Sequence, residues 1–197
     1  MEKLRTDRLG LLLDQLDSSR EFSQARLEGL SDEEYLWEPA SGAWSIRRRD
    51  QALTPRAFGR GEWVLDRDSP EPDPAPVTTI AWRLGHLHSC FAGRWEWTFG
   101  QRQEPVETLV DFTPSASLAL ERFWVLMDHW CDSVAAMTSE QLDTPGFGQY
   151  PYGLDPQLPF IAIVWWTNRE FIHHMAEIAL LRDLWDARGR STASATM

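Results

Sequence analysis

Leu9, Leu12, Leu13, Leu16, Phe22, Ala25 and Leu27 recur at close to helical spacing and predict a helix from about Thr6 to Leu30. Ser31-Asp32-Glu33-Glu34 follows, a sequence that caps a helix or a single turn. In the second periodic stretch Ile80, Leu84, Leu87, Phe91 and Trp95 fall on one face, after Thr78 or Thr79 as N-cap, and the pattern ends near Gly100. A third begins after Thr113, with Pro114 suited to the first helical position, and runs to about Met137 through Leu118, Phe123, Leu126, Trp130 and Val134. The fourth spans about Leu158 to Ala187 and stops before Gly189. Its first half, Phe160 to Trp166, is apolar all round, as a central buried helix would be.

The segments between these helices are of two kinds. Glu38 to Val77 carries Pro39, Gly42, Pro55, Gly59, Gly61 and four further prolines from Pro70 to Pro76, so it cannot be one regular element. Trp44, Ile46, Phe58, Trp63, Val64 and Leu65 nevertheless give it apolar surface to bury, which predicts an ordered loop. Asp143 to Pro156 reads as a second, shorter loop. No strand-period alternation competes with the helical pattern. The fold expected is therefore all-α, a four-helix bundle over residues 1–188 with a long ordered loop between the first and second helices, and a flexible tail over 189–197.

Charge narrows the function. Nineteen basic and 30 acidic residues leave a formal charge of −11, which repels nucleic acid and anionic membranes. Two cysteines, Cys90 and Cys131, are too few for a disulfide scaffold. The charged N-terminal stretch does not resemble a signal peptide, and the apolar run from Leu158 to Trp166 is far short of the roughly 20 residues that span a bilayer, so a cytoplasmic protein is expected. Eleven tryptophans point to a core or pocket with large aromatic walls.

The histidines carry the candidate chemistry. Glu170 and His174 stand at i and i+4, on one face of the fourth helix, where a carboxylate oxygen and an imidazole nitrogen can share one ion. The bland alternative is a polar pair at partial burial, which is how this short pattern is usually used. A third ligand would come from Gly85-His86-Leu87-His88 on the second helix. His86 and His88 lie about 200° apart around the axis and cannot both face one ion. Periodicity slightly prefers His88, which is equally readable as a core histidine on the Leu84/Phe91 stripe. His129 and His173 receive no role.

The segment Val77 to Leu87, VTTIAWRLGHL, resembles the second-helix signature of the DinB/YfiT-like superfamily, and Asn168 to Leu184 resembles its fourth-helix signature. Trp44-Ser45-Ile46 is similar to the segment that precedes the second helix in that superfamily. The resemblance implies His86 rather than His88 as first metal ligand, with Glu170 and His174 as second and third. Glu170 departs from the three-histidine form and is similar to the mycothiol-dependent maleylpyruvate isomerase branch.

Two imidazoles and one carboxylate suit Zn²⁺ with a fourth position open, and also accommodate Ni²⁺ or Fe²⁺. Neither cysteine belongs to the ligand motif, so a thiol would be supplied in trans; the resemblance implies a low-molecular-weight thiol such as mycothiol. The expected activity is a thiol transferase or thiol-dependent isomerase acting on an electrophilic small molecule. Arg83, Arg94 and Arg169 are candidate binders of the thiol cofactor or a carboxylate substrate, with ion pairs to nearby acids as the plainer reading. Trp44, Trp82 and Trp166 are candidate pocket walls. A non-catalytic metal-binding stress or interaction protein and a metal-assisted hydrolase are the alternatives, and a monomer and a homodimer are both compatible.

Overall fold

The computed structural model describes residues 5–101 and 105–194. Four long helices form the bundle: α1 (Arg8–Leu27), α2 (Ile80–Phe99), α3 (Ala116–Ala135) and α4 (Phe160–Ser194). Asp7, Thr79 and Ser115 cap the first three by accepting from Gly10, Trp82 and Leu118 backbone N–H groups. Thr79 was one of two expected caps. Ser115 replaces the expected Thr113, whose hydroxyl accepts from the Ser115 N–H instead, so α3 starts two residues beyond Pro114. Ser31 caps the short helix Asp32–Leu36, as its sequence predicts. The fourth helix continues past Gly189 to Ser194, longer than the glycine implies; residues 195–197 of the expected flexible tail lie outside the described residues.

Side-chain contacts give the helix directions. Asn168 reaches the Leu12 carbonyl and Arg26 reaches that of Ala179, so α1 and α4 run parallel. Arg94 packs on Trp166 while Arg83 pairs with Glu177, so α2 runs antiparallel to α4. Pairs His88/Phe123 and Trp95/Ser133 set α2 and α3 parallel. Short loops cannot join parallel neighbours, so the connection from α2 to α3, residues 100–115, has to run back along the bundle.

The core is aromatic. Phe91, Phe123, Trp130, Phe160 and Phe171 are buried, and their rings meet at centroid separations from 5.5 to 6.3 Å, edge-on where Phe91 meets Phe123 and Trp130. The start of α4 differs from the expected all-round burial: Phe160, Ile163 and Val164 are inside, but Trp165 is 53 % exposed. His88 packs against Phe123 on the α3 side of α2. Burial, reinforced by Arg122, lowers its pKa from 6.5 to about 4.

The long loop is ordered by one buried carboxylate. It contains an antiparallel ribbon, β1 (Ile46–Arg48) against β2 (Trp63–Leu65), whose three-residue strands are too short to leave a period in the sequence. Asp66, just after β2, is fully buried and accepts from the Ser45 and Leu53 backbone N–H groups and from Arg47 Nε at 3.1, 2.9 and 3.0 Å. Its carbonyl accepts from Trp82 Nε1 at 2.8 Å, and Ser45 Oγ lies 2.9 Å from Thr79 Oγ1. The loop is thereby fastened to the first turn of α2.

Two outcomes follow. Asp66→Ala leaves three donors unmatched in the interior, one of them a guanidinium, and is expected to cost about 3 kcal/mol in urea unfolding. Between about pH 6.5 and pH 4 the unfolded chain holds a proton on His88 that the folded chain does not. Folded-state stability relative to a His88→Leu variant therefore falls as pH is lowered through that window, by at most about 1.4 kcal/mol per pH unit; parallel pH profiles for the two proteins would contradict it.

Candidate metal centre

The antiparallel seam between α2 and α4 sets His86 opposite Glu170 and His174. Each of the three offers one donor atom, and these atoms lie within 4.8 Å of one another. Glu170 Oε2 is 3.9 Å from His86 Nε2 and 3.6 Å from His174 Nε2. Bonds of about 2.0–2.1 Å in a tetrahedral zinc site put ligand atoms about 3.4 Å apart, so the two carboxylate–imidazole separations are within about half an ångström of that spacing. All three side chains are partly buried, at 31, 16 and 16 % exposure for His86, Glu170 and His174.

Each imidazole is held in place from behind. His174 Nδ1 stands 2.7 Å from Glu177 Oε2, and Arg83 pairs with the same oxygen. A carboxylate oxygen accepts only, so Nδ1 carries the hydrogen and Nε2 is left with its lone pair toward the centre. The His86 ring stacks flat on Trp82, with centroids 5.1 Å apart and planes within 5°, and meets the His174 ring edge-on at 4.8 Å. Asp66, by holding Trp82, thus helps to fix the plane of His86.

Electrostatics bind the set together in the absence of an ion. The nearby imidazoles of His174, then His86, outweigh the burial of Glu170 and, with the hydrogen bond from Arg169, hold its carboxyl well below the usual carboxylate range. Burial disfavours protonation of His86, but Cys90 and Glu170 outweigh it and raise its pKa from 6.5 to about 10. The metal-free triad is therefore an imidazolium-carboxylate arrangement that must release a proton to take up a cation.

Of the expected residues, His86, Glu170 and His174 come together, whereas His88 faces α3. Arg83 lies against His174 and Glu177, its Nη1 3.2 Å from His174 Nδ1. Arg169 donates to Glu170 Oε1 at 2.9 Å and sits over the Trp165 and Trp166 rings. Arg94 is buried and paired with Asp155 through two contacts of 3.0 and 3.1 Å, the plainer of its two readings.

A cavity of about 400 Å³ opens beside His86, with Trp44, Trp82 and Tyr150 among its walls. Two of the three expected tryptophans therefore line it, while Trp166 packs against Arg94 and Arg169. Arg67, on the cavity wall, was not foreseen, because nothing in the sequence says which face of an irregular loop looks inward. Cys90 also lines the cavity, its Sγ 3.5 Å from His86 Nε2. Its signal was present in the sequence as H-x-x-x-C, one helical turn after His86.

Among the described residues no helix is long and apolar enough to cross a membrane. No curated protein and no solved structure matches the chain. A family model does: that of the DinB superfamily matches residues 50–178, a stretch that begins in the long loop and takes in α2, α3 and α4 as far as all three converging side chains. The chain belongs to the DinB superfamily.

Proposed function

We propose that this protein is a metal-dependent enzyme that activates a low-molecular-weight thiol, such as mycothiol, for transfer to an electrophilic small molecule or for its thiol-assisted isomerisation. The observation that carries the reading is the convergence of His86, Glu170 and His174 at the edge of an aromatic-walled cavity. The donor set fits Zn²⁺ best, being two nitrogens and one carboxylate oxygen, and Ni²⁺ or Fe²⁺ would also be held. A divalent ion in this position stabilises a thiolate at neutral pH, where a free thiol of pKa ~8.5 is mostly protonated.

The chain's own residues then have separable tasks. Glu177 keeps His174 in the tautomer that presents Nε2. Trp82 sets the plane of His86, and Trp44 and Tyr150 give a flat or apolar substrate surface to pack against while excluding water. Arg67, on the cavity wall, and Arg169, 41 % exposed beside Glu170, are the arginines that would meet an anionic end of the cosubstrate or a substrate carboxylate, with Arg83 more enclosed behind His174.

Protein purified without added metal is expected to carry about one divalent ion per chain by elemental analysis, and Glu170→Ala and His174→Ala to empty the site while the helical signal persists. Full occupancy in His174→Ala would overturn the assignment. With the site filled, consumption of maleylpyruvate or a bimane electrophile should require an added thiol. Turnover without thiol would instead identify metal-assisted hydrolysis, and no turnover with any thiol a metal-binding protein without catalysis.

Proton displacement gives an independent check. Because His86 is protonated in the metal-free centre up to about pH 10, apparent Zn²⁺ affinity should rise about tenfold per pH unit between pH 6 and pH 8 for each proton released. Chelator competition at three pH values reads the slope, and a flat profile would contradict a protonated His86.

A further inference from the structure

We propose that Cys90 is a fourth protein ligand of this centre, occupying the position that a set of His86, Glu170 and His174 leaves open. The inference rests on the reading of those three as a metal site. Its own support is the arrangement of α2. His86 and Cys90 are one turn apart on that helix, as Glu170 and His174 are on α4, and the His86, Glu170 and His174 donors lie within 4.8 Å of one another, so Cys90 completes the set by turning its sulfur toward them. The Cys90 sulfur approaches Nε2 of His86, the same nitrogen that faces the Glu170 carboxylate, and not the far side of the ring.

The separation is the informative quantity. Zinc bonds of about 2.05 Å to nitrogen and about 2.3 Å to sulfur, at tetrahedral angles, place the two donor atoms about 3.5 Å apart. The observed Sγ to Nε2 distance is 3.5 Å. Cys90 and His86 both line the cavity, so the sulfur stands where an ion held by His86 Nε2 would be within its reach.

Coordination breaks the S–H bond and forms a metal–sulfur bond; the proton leaves to solvent and no oxidation state changes. With Cys90 bound the centre is four-coordinate and closed. Rotation of the Cys90 side chain away from the ion frees a position that faces the cavity, so an incoming thiol exchanges for a resident one. The protein's own sulfur thereby sets how readily the centre admits an outside ligand.

Cobalt(II) loading of the full chain tests this with a readout separate from activity. Wild-type protein with one equivalent of Co²⁺ is expected to show a sulfur-to-cobalt charge-transfer band in the near ultraviolet. Cys90→Ser should lose that band, still bind one Co²⁺, and bind Zn²⁺ about tenfold or more weakly, whereas Cys131→Ser should keep the band. Zn²⁺ should likewise protect Cys90 of the unmutated protein from alkylation by iodoacetamide, a measurement that needs no variant to fold. One bound Co²⁺ without the band in wild-type, or a band that survives in Cys90→Ser, would overturn the role of Cys90 and leave the three-residue centre standing. Failure of wild-type to bind Co²⁺ or Zn²⁺ at all would overturn the centre itself, and this proposal with it.

Discussion

A carboxylate enclosed between two imidazoles is the constraint around which the seam of this bundle is organised. Glu170 sits on a helix whose neighbouring positions, Phe171 and Met175, are buried in the core. Its side chain is only 16 % exposed. Enclosing that charge is costly unless partners reach it, and those partners are His86 from across the seam, His174 one turn along, and Arg169 beside it. The register of α2 against α4 is thereby tied to polar chemistry as well as to packing. A slip of one residue would turn His86 away and leave the carboxylate with fewer donors.

The long loop belongs to the same arrangement. Its only extended regular pairing is a ribbon of two three-residue strands, which is too little to stand alone. What orders it is Asp66, enclosed with its hydrogen-bonding capacity used by Arg47 and two backbone N–H groups. The loop in turn holds the Trp82 indole, on which the His86 ring is stacked. A charge buried far from the centre in sequence thus reaches it through one tryptophan. The same loop supplies Trp44 and Arg67 to the cavity wall, so the cavity and the plane of the His86 ring share a support.

The opposite faces of α2 do different work. One carries Arg83, His86 and Cys90 toward α4 and the cavity, and the other carries His88 toward Phe123 of α3. Two histidines two residues apart acquire contrasting proton affinities as a result. His86, near a carboxylate and a thiol, holds its proton more tightly than free imidazole, and His88, in an apolar surrounding beside Arg122, gives it up more easily. Identity of side chain is the same in both cases; the difference lies in the charges each can see.

Local sequence was enough to determine the four helices, most of their ends and the pairing of Glu170 with His174, because spacing along a helix and capping by short polar side chains act over a single turn. The superfamily resemblance selected His86, where periodicity alone inclined toward His88. The apolar stripe of α2 is defined by its contact with α3, and a ligand on the other flank leaves no trace in that stripe. Only the tertiary structure put Arg67 rather than Arg83 or Arg169 on the cavity wall and tied the loop to α2 through Asp66. These relations join residues on separate elements or in irregular backbone, where no period exists to be read and position follows from which groups satisfy one another once the chain has closed.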